Sequence, residues 1–171
     1  MPFSLPLQKC RLWETNFQVF KAMPSLPQPY VAVLEKQTGP EYHIECGSQY
    51  DENMAMLRVT LKGEGVFRLG EKIYALPAGK AYFIPDRLPG ASYYYPSHAS
   101  GPWIFVWFGF KGECVRPLVE ELNRRYGYVF DLPLDSAVVR YLESMGSMQG
   151  TMQVLSTTEG AKIVMEVLAG L

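Results

Sequence analysis

Between residues 30 and 110 the hydrophobic positions fall in short runs that glycine and proline cut at close intervals. Short runs bounded by turn-formers predict β-strands, because a strand is brief and a proline or positive-φ glycine ends its ladder. The pattern places strands at 30–34, 41–46, 71–76, 81–84 and 92–95. Pro77-Ala78-Gly79 turns the chain between two of them, and Pro85, Pro89 and Gly90 break it again. Residues 57–69 read as strand, Gly63-Glu64-Gly65 turn, strand, which predicts a hairpin. Many short strands at this spacing predict an antiparallel barrel or sandwich.

The densest run is Trp103-Ile-Phe-Val-Trp-Phe-Gly-Phe110. Alternation along a strand puts Trp103, Phe105 and Trp107 on one face and Ile104, Val106 and Phe108 on the other. One face is then free to line a cavity while the other packs a core.

After Gly112 the period changes. Val115, Leu118, Val119 and Leu122 recur at helical spacing, with charged residues between them and Gly127 just past the end. Asp135 is placed to cap a second helix carrying Val138, Val139, Leu142 and Met145. Ser156-Thr-Thr-Glu159 matches a capping box and opens a third helix. Residues 1–29 hold five prolines and little periodicity, which predicts an extended arm. The expected organisation is an arm at 1–29, a β region at 30–112 and a helical region at 113–171.

The apolar stripe Ile163, Val164, Val167, Leu168 and Leu171 suits either an antiparallel pairing of two subunits or packing on the barrel of its own subunit. The dimer interface is the reading adopted. The stripe is still running at Leu171, so more protein is expected to follow.

With 171 residues, 48% of them hydrophobic and 19% charged, the chain has the composition of an ordered domain. Its net charge of -1 lacks the basic footprint that phosphate neutralisation requires, and the one adjacent basic pair, Arg124-Arg125, fits a solvated helix face. Cys10, Cys46 and Cys114 are odd in number and far apart, as expected of buried or incidental thiols in a reducing compartment. No basic-then-apolar leader and no membrane-length apolar run occurs, so a cytoplasmic protein without a membrane partner is expected.

Candidate chemistry is sparse. The two histidines, His43 and His98, form no H-x-H pair, and neither a metal centre nor another cofactor is expected. No Ser or Cys stands in a nucleophile-elbow context, so no catalytic residue is assigned. Tyr94, central in a tyrosine triplet, offers a flat face and a hydroxyl to a ligand, or belongs to a tyrosine-rich core or rim. Arg58 lies in an otherwise apolar strand and points either inward, where it would clamp a carboxylate or hydroxyls, or out to solvent.

Met56-Leu-Arg-Val-Thr-Leu-Lys-Gly-Glu-Gly65, Leu76-Pro-Ala-Gly79, Tyr93-Tyr-Tyr-Pro96 and Trp103 to Gly112 occur in an order and spacing that resembles the N-terminal cupin-type ligand-binding and dimerisation domain of AraC-type transcription regulators. The resemblance runs from about residue 50 to the end. It implies a mostly β chain, a cupin-like antiparallel β-barrel of jelly-roll type, followed by two to three amphipathic helices. It also implies a small-molecule effector, a homodimer through the C-terminal helices, and contact with DNA only through a helix-turn-helix domain absent from this chain.

Sugar-responsive members would place their effector contacts on Tyr94 and Trp107. The candidate ligand set is therefore Tyr94, Trp107, Trp103, Phe105 and Arg58. The arabinose-responsive pattern has a basic residue and a histidine where this chain has Ser48 and Phe105, which predicts a less polar or differently substituted ligand. The alternative expectation is a stand-alone, metal-free cupin isomerase or epimerase acting on a small carbohydrate-like metabolite, with His43 as base and a tyrosine as partner.

Overall fold

The computed structural model describes residues 10–47 and 53–171. The first nine residues of the expected arm, and Ser48, lie outside the described residues. The strands are β1 (Arg11–Val19), β2 (Gln28–Gln37), β3 (His43–Cys46), β4 (Met54–Lys62), β5 (Glu64–Leu69), β6 (Lys72–Pro77), β7 (Lys80–Pro85), β8 (Ala91–Tyr94), β9 (Trp103–Lys111), β10 (Val129–Asp131) and β11 (Met152–Leu155). The helices are α1 (Val115–Tyr126), α2 (Ala137–Ser144) and α3 (Thr157–Ala169), with a short 3-10 turn, Met145–Met148, after α2.

The strands form two sheets, one ordered β10-β7-β4-β9-β2-β1-β11 and the other β3-β8-β5-β6. The predicted barrel is thus a jelly-roll-like pair of facing sheets that are not closed on one another by hydrogen bonds. Three layers result: helices, large sheet, small sheet. Phe17, Leu57, Val106, Phe108 and Phe110 of the large sheet pack with Val115, Val139, Leu142 and Val164 of the helices. The opposite face, through Met56, Ile84, Trp103 and Phe105, meets Phe67, Leu76 and Tyr93 of the small sheet.

β9 lies between β2 and β4, which explains its composition. A central strand covered on both faces must be apolar at every position. The predicted alternation holds: Val106 and Phe108 belong to the helix-side core and Trp103 and Phe105 to the core between the sheets.

The expected hairpin at 57–69 is not formed. β4 pairs with β7 and β9, whereas β5 pairs with β6 and β8. The intervening Gly63, at φ 74°, carries the chain from one sheet to the other. A Cβ there would stand 2.1 Å from the Pro102 carbonyl oxygen, and one on Gly65 would stand 2.1 Å from the Trp103 ring. The two glycines therefore make a corner, with β9 passing tightly against it.

The arm reading fails for Arg11–Val19, which pairs antiparallel with β2 and parallel with β11. Phe17 is buried in the helix-side core and Trp13 packs against it. Tertiary packing, which periodicity in a proline-rich stretch does not display, decides this segment.

All three predicted helices form. Ser136, one residue after the expected Asp135, caps α2 by accepting from the Val139 amide. The capping box of α3 is complete, with Ser156 Oγ accepting from Glu159 N and Glu159 accepting from Ser156 N at 2.8 Å. The dimer stripe on α3 is already occupied: Val164 and Val167 are fully buried in their own chain, with Ile163 and Leu168 packed beside them. Val164 and Val167 cannot serve a subunit interface without opening the core, whereas Ile163 and Leu168 are only partly buried. Leu171 is partly exposed and borders a groove between α1 and β10 with Tyr126 and Phe130. No helix among the described residues is long and apolar enough to cross a membrane.

Candidate functional site

A cavity of about 320 Å³ opens between the two sheets, lined on the large sheet by Tyr30, Glu35, Met56, Arg58 and Trp107 and on the small-sheet side by Ile44 and Tyr93. Tyr42, Arg11, Met54 and Asp86 complete its wall. Strand parity explains the membership. Along β4, Ala55, Leu57 and Val59 turn to the helices, so Arg58 turns with Met56 toward the small sheet. The inward alternative for Arg58 is the one realised.

Arg58 is 2% exposed. Its Nη1 donates to the Tyr42 hydroxyl at 3.0 Å, and its Cζ lies 4.0 Å from the ring centre of Tyr93 and 4.3 Å from that of Phe105. Contacts of this kind attract a cation to the electron-rich face of a ring. Burial works against the charge of Arg58, but the phenol groups of Tyr42, Tyr82 and Tyr93 and the Glu35 carboxylate outweigh it and hold the pKa above its ordinary value. The guanidinium therefore stays charged. Burial drives the Tyr42 phenol in the other sense, well above its usual range despite the adjacent Arg58 charge, so Tyr42 stays a neutral hydroxyl.

Glu35 faces the same space from β2 and is almost fully buried. Its two oxygens are engaged separately: Gln37 Nε2 donates to Oε1 at 2.5 Å and Trp107 Nε1 donates to Oε2 at 3.0 Å. The indole plane of Trp107 is thereby fixed by a carboxylate and presented at the cavity wall. Gly109, two residues on along β9, leaves room for the Tyr30 ring, whose Cζ would stand 2.3 Å from a Cβ at that position. At the rim, Arg11 pairs with Glu14.

Of the expected ligand residues, Trp107 and Arg58 line the cavity. Phe105 and Trp103 stand behind Arg58, both fully buried, and Trp103 is anchored by donating from Nε1 to Thr60 Oγ1 at 3.0 Å. Tyr94 lies elsewhere. It follows Tyr93 on β8, and alternation turns it away from the cavity to stack on His43 with ring centres 4.9 Å apart. His43, 45% exposed at its side chain, has its Nε2 2.9 Å from Glu45 Oε1, which accepts from it, and is not part of the cavity wall. His98 meets Glu64 on the surface. Among the described residues no three His, Cys, Asp or Glu side chains are gathered closely enough to hold a metal ion.

Glu35, Tyr42, Tyr30, Tyr93 and Asp86 were not anticipated. For Glu35 a signal existed: it continues the parity of Val31 and Val33 in an apolar strand, so an acid there must face the interior. Tyr42 carries no such mark, since it precedes β3 in a loop.

Solved structures share this architecture. The YhaK protein from Escherichia coli superposes with a TM-score of 0.51 at 20% identity, over 77% of this chain and 53% of that one. The AraC-like transcriptional activator CuxR gives a TM-score of 0.51 at 12% identity, over 81% of this chain and 46% of that one. The chain thus spans about half the length of each. At such identities the likeness shows the fold alone. No curated protein sequence matches. The family model of the AraC-like ligand binding domain matches residues 53–166, two thirds of the chain, from the strand that carries Arg58 through the body of α3, and the chain belongs to that family.

Proposed function

We propose that this chain is the effector-binding part of an AraC-type transcription regulator, and that a small molecule held between the two sheets is the signal it senses. The observation that carries the reading is the cavity itself. It joins a buried cation, Arg58, two buried carboxylates, Glu35 and Asp86, and the flat faces of Trp107, Tyr30 and Tyr93 around a space of ligand size. A few polar groups among apolar walls are what orient a small molecule, whereas a core kept only for stability gains nothing from a buried charge. Family membership supplies the regulatory context, and the AraC-like activator CuxR, twice the length that this chain covers, supports an output domain outside these residues. Any pairing of two copies has to use a surface other than Val164 and Val167.

The catalytic alternative requires His43 as base, and His43 stands on the outer face of β3. The geometry gives that reading no support. Binding is therefore the proposed activity, and no turnover is assigned.

A thermal-shift and tryptophan-fluorescence screen of small metabolites tests the proposal. Compounds that raise the melting temperature should lose their effect in Trp107→Ala. Hits that survive the substitution, or a broad screen without any hit, would refute it.

A further inference from the structure

The charged groups of the cavity are not equally satisfied. Glu35 has a donor on each oxygen, and Arg11 is paired with Glu14. Arg58 differs. Its hydrogen-bond partners are a neutral phenol and, at 3.9 Å, the Met56 sulfur, a weak acceptor. Its Nε is buried with no hydrogen-bond partner, and among the described residues no carboxylate comes within 4.0 Å of its nitrogens.

A guanidinium that is 2% exposed has given up its hydration, and rings at 4.0 and 4.3 Å recover only part of that loss. A buried cation of this kind is stabilised when an anion completes its hydrogen bonds, and a planar carboxylate matches the fork of arginine donors. The rest of the wall favours an apolar body: Ile44, Met54 and Met56 are aliphatic, and Trp107 and Tyr30 are flat. Met56 and Met54 are also adaptable in shape.

The geometry points to an effector that is a small organic monocarboxylate with an apolar, planar body, its carboxylate paired to Arg58 and its body lying along Trp107. This inference rests on the proposed ligand-binding reading and narrows it to a chemical class. It disfavours a neutral polyol, which would supply neither the counter-charge nor the apolar surface. The acids Glu35 and Asp86 on the same wall restrict the ligand to one negative charge, because a dianion would be held against them.

Isothermal titration and Trp fluorescence with matched probe pairs, benzoate against benzamide and indole-3-acetate against its amide, separate charge from shape. The carboxylates should bind on the order of tenfold or more tightly than their amides, the equivalent of one charge-assisted hydrogen bond. Arg58→Met should abolish that difference, so that each acid and its amide bind alike. Because this variant also takes a positive charge away from the buried Glu35 carboxylate, its melting temperature and circular dichroism are read first to establish that it folds. Arg58→Lys, which keeps the charge without the fork, provides the second variant and should retain part of the carboxylate preference.

Acid and amide binding alike, or carboxylate binding that persists in Arg58→Met, would overturn the inference. Neutral metabolites that bind and require Trp107, with no carboxylate among them, would overturn it and leave the ligand-binding proposal standing. Absence of any binding by acids, amides and metabolites would overturn both.

Discussion

Trp107 on β9 donates its indole hydrogen to Oε2 of Glu35 on β2 at 3.0 Å, tying the aromatic wall of the cavity to a buried carboxylate on the neighbouring strand. The pair is diagonal in the ladder, since Glu35 stands opposite Phe105 and Trp107 opposite Val33. Both side chains therefore emerge on the same face. Trp107→Phe keeps most of the ring and removes the donor. The expected cost is about 1.5–3 kcal/mol in urea unfolding, the range for a hydrogen bond to a charged group. A loss under 0.5 kcal/mol, against the ordinary background of surface substitutions at about that level, would mean the bond does not hold Glu35 in solution.

Gly65→Ala tests the corner between the sheets. The added methyl would stand 2.1 Å from the fully buried Trp103 ring, which is itself held by Thr60. Neither group has free space, so the variant should lose about 1–3 kcal/mol or more and alter its near-UV circular dichroism, because the Trp103 environment shifts. An unchanged spectrum and midpoint would show that β5 and β9 can separate at that point.

Val164→Asp separates two roles for the α3 stripe. A carboxylate placed where the parent side chain is 0% exposed has no partner and should unfold the domain or cost several kcal/mol. Light scattering on the soluble fraction reads the other possibility: a fully folded, stable Val164→Asp protein of reduced mass would restore the intersubunit reading.

The capping box at the start of α3 gives a pH dependence of known sign. Hydrogen bonds from the Ser156 amide and then the Ser156 hydroxyl lower the Glu159 pKa below its ordinary value. A carboxyl whose folded pKa is depressed adds stability that is present above its unfolded pKa and lost as pH falls through the folded one. Stability measured from neutral pH down through the carboxylate range should therefore fall less in Glu159→Gln than in the parent. Identical acid limbs would remove this contribution. Separately, Ser156→Ala should cost about 1 kcal/mol, as loss of an N-cap does.

Much of the fold was legible because it is written in local chemistry. Gly63, Pro77, Gly79, Pro85 and Gly90 mark real strand ends, and Ser156 with Glu159 marks a real helix start. Partnership between strands was not legible. The turn glycines of 57–69 look the same whether the next strand folds back or crosses to another sheet, and only the approach of Pro102 and Trp103 distinguishes them. β11 was missed because Met152-Gln-Val-Leu155 is too short to show a period, and β1 because prolines surround it.

The cavity followed the same division. Trp107 rested on the family resemblance, with alternation giving only its face, and the direction of Arg58 was hidden because β4 is buried on both faces and so reads apolar at most positions. Tyr94 was placed wrongly by one residue. Within Tyr93-Tyr94-Tyr95 nothing local says which parity faces inward, and a shift of one exchanges the cavity wall for the stack on His43.

The parallel pairing of β1 with β11 sets Asn16 against Met152 and Val19 against Leu155, joining positions far apart in the sequence. A nascent chain emerging from a ribosome has made Arg11–Val19 long before Met152–Leu155 exists, so the outer edge of β1 stays open while the residues between them are made. Loop closure on this scale is slow, and an uncovered strand edge in the meantime is open to the wrong neighbour. Closure of that edge thus waits on the residues of β11, and a pause or truncation before they are made would leave an adhesive margin along β1.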